Sequence, residues 1–420
     1  MRHDVQDAEH TQDSHQHDVV IVGIGMVGAS LAALLGRAGL NVAMVDPRPE
    51  ALELADVGVG QPAPRVSALT PVSQRLLEGL GAWSLIRDRR VTPYTAMQVW
   101  DGEGSGDISF RADQAGVPVL GHIVENDVVL AALEHCLARM PNVTRLYGQR
   151  VASLGGDPAA PQVVLDNGEK LAASLVVAAD GARSPLRHMA GIEVSERDTG
   201  HHALVTTVRT ALPHGATARQ SFLATGPLAF LPLTVEGDSH YCSIVWSTSP
   251  QEAERLEALE RETLAGELAG AFDHRLGEVE VLDRAWCFPL SQRHAQRYYQ
   301  PGLALIGDAA HSIHPLAGQG VNLGLLDAAV LAEELLHARA RGCELGEEWQ
   351  LARYQRRRRG DNASMLALMD GFRMLFGARH PALTLARNLG LSGVDRLGPL
   401  KRLIMQQATG QRGRLPHSCR

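Results

Sequence analysis

The chain has 420 residues, 45% of them apolar and 21% charged, with 42 glycines and a formal net charge of −7. This ordinary globular composition is long enough for two or three domains, and it excludes a disordered tail protein, a collagen-like repeat and a disulfide scaffold. The acidic balance gives no general attraction to nucleic acid, and five scattered cysteines without a CxxC pair suit a reducing compartment and supply no structural metal site.

Residues 1–17, MRHDVQDAEHTQDSHQH, are polar and acidic with four histidines, unlike the basic start and apolar run of a signal peptide. They read as a mobile, solvated leader, in preference to a metal-binding tract. No apolar stretch reaches the roughly 18 residues that a membrane span needs. A cytoplasmic protein is expected.

From Asp18 the pattern becomes regular. Asp18-Val-Val-Ile-Val22 is an apolar, β-branched run that breaks at Gly23-Ile-Gly25-Met26-Val27-Gly28 and continues as ASLAALLGRAGL at helical spacing. Asn41-Val-Ala-Met-Val45 follows as a second buried strand, so the segment predicts a parallel βαβ unit. In this setting the GxGxxG glycines permit a tight turn and close approach of a pyrophosphate to a helix N-terminus. Asp46, 18 residues beyond Gly28, stands where a carboxylate accepts hydrogen bonds from an adenosine ribose. By contrast, the glycines between 102 and 106 lie between two strand-like runs and read as a plain turn.

Asp180-Gly181 follows the apolar run SLVVAA and opens a polar cluster with Arg183, Ser184 and Arg187. A ligand-binding loop and a simple turn are both consistent with it. The segments 201–210, 228–235 and 240–246 are short strand-like runs that predict an antiparallel sheet. Residues 250–272 predict one helix.

Near residue 302 a strand-like run leads into GDAAHSIHPLAGQGVNLG (307–324). Here a strand delivers Asp308 to a sheet edge, and a glycine-rich loop opens a helix from about Asn322 to Arg341. Asp308 can bond a ligand hydroxyl, and backbone amides around Gly320–Asn322 can donate to an electron-rich group. His311 and His314 have helical ligand spacing, but no third ligand is placed beside them, so a metal is not expected. Residues 350–410 look mostly helical. There the Met-rich run 365–376 reads as core or as a lipid- or partner-facing surface. The Arg356–Arg359 run reads as a solvated face or as a headgroup contact.

These three motifs, in this order, resemble the class A flavoprotein monooxygenases. Further segments narrow the resemblance: Arg65-Val-Ser-Ala-Leu-Thr, SQRLLEGLGAW, LGHIVENDVVLAAL, HHALVTTVRT, LAFLPL and CSIVWSTSP look like the ubiquinone-biosynthesis hydroxylases (the UbiH/UbiF/VisC group) over roughly residues 18–410. GDISF, ARQSF and AFDHRLG look most like the branch that hydroxylates 2-polyprenylphenols at ring C5. Asp46 departs from the Glu that many relatives carry.

The resemblance implies bound FAD, NAD(P)H as a transient electron donor, and hydroxylation of a polyprenylated phenol or quinol by O2 through a flavin C4a-hydroperoxide. C6 or C1 hydroxylation of another intermediate is the alternative, and so is a non-catalytic lipid-binding scaffold of a quinone-synthesis complex. It implies an α/β fold: a Rossmann-like FAD-binding domain (18–90, 123–195, 290–345), an inserted antiparallel-sheet substrate domain (91–122, 196–289) and a helical C-terminal region (346–410). It assigns Gly23, Gly25, Met26, Val27, Gly28 and Asp46 to the ADP half of FAD, with Arg65 near the diphosphate or adenosine. It assigns Asn126, Gly307 and Asp308 to the ribityl chain, and Asp180 and Gly181 to FAD and the nicotinamide donor. Pro315, Gly318, Gly320, Val321 and Asn322 are expected beside the isoalloxazine. No phenol-deprotonating residue is identified. A polyprenyl substrate further implies peripheral contact with the inner membrane and membership of a biosynthetic complex.

Overall fold

The computed structural model describes residues 15–102, 104, 106–312, 320–377, 410, 411 and 413–420. The first sheet has five parallel strands in the order Leu303–Leu305, Lys170–Ala178, His15–Val22, Val42–Asp46 and Val143–Tyr147. Three further strands complete it, with Tyr299–Gln300 on one edge and Ala160–Leu165 and Val151–Asp157 alongside Lys170–Ala178. Val42–Asp46 is buried along its whole length, as expected of a parallel strand covered on both faces. Helices Met26–Arg37, Asn126–Leu137 and Gly320–Arg339 pack around this sheet to form the main core. Each fully buried Val or Ile in it, such as Val19, Val20 and Ile21, contributes roughly 1.5–3 kcal/mol of burial.

The first strand starts at His15, inside the segment expected to be mobile. Lys170–Ala178 is long enough to pair with His15, Gln16 and His17 through Leu171, Ala172 and Ala173, so these polar residues join the ladder despite their composition.

The second sheet has nine strands, built around Val194–Thr210, Asp238–Thr248, Gly226–Val235 and Trp286–Ala295. It is antiparallel as expected, except that Thr217–Leu223 pairs in parallel with Ala96–Asp101. That pairing joins two distant stretches of chain and has no local sequence signal. Ala96–Asp101 and Asp107–Arg111 pair antiparallel across the glycine turn read as plain. One face of the sheet is packed by two helices, Pro250–Glu257 and Arg261–Ala271, where the periodicity predicts one. The break at 258–260 contains neither Gly nor Pro, and nothing in the structure explains it.

A three-stranded sheet of Val66–Leu69, Gly121–Glu125 and Val91–Tyr94 lies between these parts. The two large sheets meet at the third motif: strand Leu303–Leu305 ends in the first, and six residues later His311–Ser312 pairs with His294 and Arg293 of the second. Among the described residues the last long helix is Glu348–Gly377, and the expected helical continuation over 378–409 lies outside them.

Candidate functional site

The first glycine turn leaves strand His15–Val22 and opens helix Met26–Arg37. Gly23 has φ +105, and a Cβ there would sit 2.3 Å from Ala179 O. A Cβ on Gly28 would sit 2.1 Å from Gly23 O. Both positions are therefore glycine because the turn packs against the strand end that carries Asp180. Gly25 is different. Its backbone is ordinary and extended (φ −81, ψ 176), and among the described residues nothing lies within 4 Å of where a Cβ would be. The protein itself does not require glycine there, and its bare backbone faces open space at a helix N-terminus that has no side-chain cap.

The following residues tie this turn to the third motif. Val27 is half-buried, and a Cβ on Gly324 would come 2.6 Å from its Cγ2. Gly307 (φ +58) approaches the same side chain, at 3.2 Å from Val27 Cγ1 by the same measure.

Asp46 ends strand Val42–Asp46 and is buried. Its Oδ2 accepts from Ile24 N at 2.6 Å, which anchors the glycine turn from below. Its Oδ1 accepts from Arg48 N and Nε at 2.9 and 3.1 Å. A carboxylate has about four acceptor sites, so capacity for a further donor remains. The sequence reading missed Arg48. Its guanidinium also bonds Ile24 O and Glu134 Oε1, both at 2.8 Å, while its Nη1 is buried without a partner among the described residues. Burial opposes its charge, but Glu134 and Asp46 together hold its pKa above the ordinary value.

Arg65 and Asn126 meet because Val66 pairs with Glu125: Asn126 N donates to Arg65 O at 3.0 Å, and Ser67 Oγ donates to Asn126 Oδ1 at 2.6 Å. A buried ion pair between Arg90 and Glu125 (2.9 Å) fixes this corner. Arg65 itself is exposed and lies within electrostatic range of Asp308.

Asp180 follows strand Lys170–Ala178, and Gly181 turns the chain at φ +86. Asp180 Oδ2 accepts from Leu186 N at 3.0 Å, and its Oδ1 is buried without a partner among the described residues. Burial pushes its carboxyl up, against hydrogen bonds from Ser184 and Leu186 that favour the charged form. Arg187 reaches across to the third motif, donating from Nη1 to Ala309 O at 2.7 Å and from Nη2 to Ala182 O at 3.0 Å.

Asp308 keeps accessible surface, yet protein crowds it closely enough for desolvation to push its carboxyl up, with His311 and Arg65 pulling the other way. A side chain on the wall of a hollow has both properties. Gly320 and Val321 begin helix Gly320–Arg339 and are half-buried. The Asn322 side chain is committed elsewhere: its Oδ1 accepts from Thr70 N (3.0 Å) and Ser73 Oγ (2.7 Å), and its Nδ2 donates to Ala68 O (2.8 Å). The side chain is therefore not available to a ligand. Pro315, Gly318 and His314 lie outside the described residues.

Beneath the third motif lies a buried charge network that the sequence did not reveal. Asp327 is fully buried and accepts from Gly307 N (3.0 Å), His311 Nε2 (2.6 Å), Arg358 Nε (2.7 Å) and Asn362 Nδ2 (3.2 Å). Burial alone would raise the Asp327 carboxyl, but His311 and Arg358 outweigh it and hold it down at about 2. His311 is thus spent on a carboxylate. Among the described residues, no group of three His, Cys, Asp or Glu side chains could hold a metal. The Arg356–Arg359 run is not one solvated face: Arg358 is 2% exposed against Asp327, Arg357 pairs with Glu333 and Glu334, and Arg356 and Arg359 are exposed. Among the described residues, no helix is long and apolar enough to cross a membrane.

Comparison with known proteins places this geometry in a family. The family described as FAD binding domain matches residues 16–367. The chain is 40% identical to the 3-demethoxyubiquinol 3-hydroxylase of Escherichia coli (strain K12), over 94% of this chain and 98% of the relative. It is 38% identical to the ubiquinone hydroxylase UbiL of Rhodospirillum rubrum, over 94% and 89% of the two chains. Among solved structures, Pseudomonas aeruginosa PqsL in complex with 2-aminobenzoylacetate superposes with a TM-score of 0.74 at 25% identity, covering 90% of this chain and all (100%) of that one. The p-nitrophenol 4-monooxygenase PnpA of Pseudomonas putida DLL-E4 shares the fold, with a TM-score of 0.75 at 21% identity, covering 95% of this chain and 100% of that one.

Proposed function

Since the chain belongs to the FAD-binding-domain family of flavoprotein monooxygenases, among its ubiquinone-biosynthesis hydroxylases, we propose that it hydroxylates the aromatic ring of a polyprenylated ubiquinone intermediate, with NAD(P)H as electron donor and O2 as oxygen source. The observation that carries the reading is the convergence of three motifs, distant in sequence, on one site: Gly23 packs on Ala179, Val27 on Gly307 and Gly324, and Arg187 on Ala309.

The residues present fit a flavin dinucleotide. The open space at Gly25, the buried, partnerless Asp180 Oδ1 and the partly exposed Asp308 are each features that a bound dinucleotide would use. In this reading the uncapped N-terminus of helix Met26–Arg37 receives the diphosphate with Arg65 near it, Asp46 with Arg48 holds the adenosine ribose, and Asp308 with Asn126 holds the flavin's chain. The bound flavin supplies the chemistry of accepting hydride equivalents and activating O2.

The chain's own task is positioning. Asp327 fixes the backbone of Gly307 and the ring of His311, and so sets where Asp308 points. Backbone amides at Gly320–Asn322 would stabilise negative charge on an electron-rich ring. The side of the second sheet away from its helices carries a small apolar cluster of Ala203, Val205 and Leu290, which suits a ring that must be kept from water.

The sequence resemblance favours C5 of a 2-polyprenylphenol as the position hydroxylated. A second reading, the later C6 step, is favoured by the 40% identical relative, whose name specifies a demethoxyubiquinol. Supplying purified, flavin-loaded protein with NAD(P)H, 18O2 and each ring intermediate tests both. Labelled oxygen in one product identifies the substrate, and NAD(P)H oxidation with no labelled ring in any product refutes the proposal. Peripheral membrane contact and membership of a quinone-synthesis complex remain part of the proposal, because a polyprenylated ring must be collected from a bilayer.

A further inference from the structure

While Arg358 supports the flavin site through Asp327, its neighbours Arg353, Arg356 and Arg357 line a second cleft. Its volume is about 320 Å³, and it lies between helices Gly320–Arg339 and Glu348–Gly377, with the C-terminal residues Gly413 and Arg414 closing one side. Leu326 and Val330, one helical turn apart, form an apolar floor. Arg353, Arg356 and Arg357 enter from the facing helix at i, i+3 and i+4. The C-terminal segment is held in place by Arg75 Nε donating to Cys419 O (2.9 Å) and His417 N donating to Glu333 Oε2 (2.8 Å).

The charges in this cleft are not balanced. Arg353 pairs with Glu334, Arg357 with Glu333 and Glu334, and the buried Arg358 with Asp327 and Asp361. Arg356 and Arg414 are exposed and have no ion-pair partner among the described residues. Arg357 Nη2 is buried and has no hydrogen-bond partner among the described residues, so its positive charge is only partly compensated by Glu333 and Glu334. Guanidinium groups present planar, forked donors that match phosphate oxygens, and the paired members are already fixed in place by their carboxylates.

We propose that this cleft binds a phosphate-type oxyanion, held by Arg356 and Arg414, with Arg357 fixed beside them by Glu333 and Glu334 and the Leu326–Val330 floor beneath its organic part. The chemistry is common to an anionic phospholipid headgroup and to a free phosphate compound, and it is independent of the flavin site.

Flavin-loaded full-length protein is melted in inorganic phosphate and in chloride at equal ionic strength, then sedimented with vesicles of phosphatidylcholine alone or mixed with phosphatidylglycerol. The variants are R356A/R414A, both positions being exposed, the milder Arg356→Gln in case the double variant folds poorly, and R87A/R139A as an equal charge change on another face. The expected result is saturable stabilisation by phosphate beyond chloride. Half-saturation should move about tenfold higher in R356A/R414A and stay put in R87A/R139A. Arginine-dependent capture by phosphatidylglycerol vesicles then assigns a headgroup, whereas phosphate binding without capture assigns a soluble phosphate compound. Either result upholds the site. No specific effect of phosphate, or the same phosphate dependence in wild type and R356A/R414A, overturns it.

Discussion

Replacing Gly25 with alanine separates what the fold needs from what the cofactor needs. The Gly25 backbone (φ −81, ψ 176) is one that alanine adopts freely, and among the described residues no atom beyond its chain neighbours lies within 4 Å of the new methyl. Restricting the unfolded chain at such a position stabilises a protein by about 0.4–1 kcal/mol, and replacing a helix N-cap glycine by alanine costs a similar amount, so the Gly25→Ala apoprotein should melt close to the wild-type temperature. In the flavin complex the same methyl would stand in the path of the diphosphate. An overpacking cost of about 1–3 kcal/mol corresponds to roughly 5- to 150-fold weaker FAD binding. Gly28→Ala is the contrast: its methyl would lie 2.1 Å from Gly23 O, so stability and flavin should be lost together. The assay is flavin content by absorbance, FAD titration of the apoprotein, and melting with and without FAD. Unchanged FAD affinity in Gly25→Ala would refute the argument that this open space belongs to the cofactor.

Asp327→Asn leaves the buried Arg358 guanidinium with only the partly exposed Asp361 as counter-charge, and should cost about 3 kcal/mol, read as a lower urea midpoint. The pH dependence follows from the same residue. With its carboxyl held at about 2 against an ordinary 3.8, Asp327 contributes on the order of 2 kcal/mol. That stability is fully present above about pH 4 and is lost as pH falls towards 2; acid titration of wild type should show this loss and Asp327→Asn should lack it. Asp308→Asn relieves a carboxylate whose charged form is disfavoured by burial, so at pH 7 the apoprotein should melt higher while retaining less FAD. A variant purified with full flavin and unchanged melting would contradict that assignment.

How much of this was legible in the sequence depended on whether the signal was local. The GxGxxG turn, Asp46 and the Gly307–Asp308 turn are each set by a strand, a glycine and the next element within a few dozen residues, and period and composition expose them. Asp327 and Arg358 are 31 residues apart on two helices, and a run of four arginines reads as solvent-facing until the partner of one is known. Arg48 was missed because its role depends on Glu134, 86 residues away. The His15–His17 extension was hidden for a related reason: a polar strand end is stabilised by the ladder it joins, which composition does not report. The parallel pairing of Thr217–Leu223 with Ala96–Asp101 likewise depends only on long-range topology.

The central claim is that this site hydroxylates a polyprenylated ring on the way to ubiquinone. Its most direct test is deletion of the gene in its own host, with mass spectrometry of the prenylated aromatics that accumulate and complementation by wild type and Gly25→Ala. The account predicts a polyprenylated intermediate lacking one ring oxygen, cleared by wild type and poorly cleared by Gly25→Ala. A polyprenylphenol would assign the C5 step and a demethoxy-type quinone the C6 step. Unchanged ubiquinone with no accumulated intermediate would contradict it.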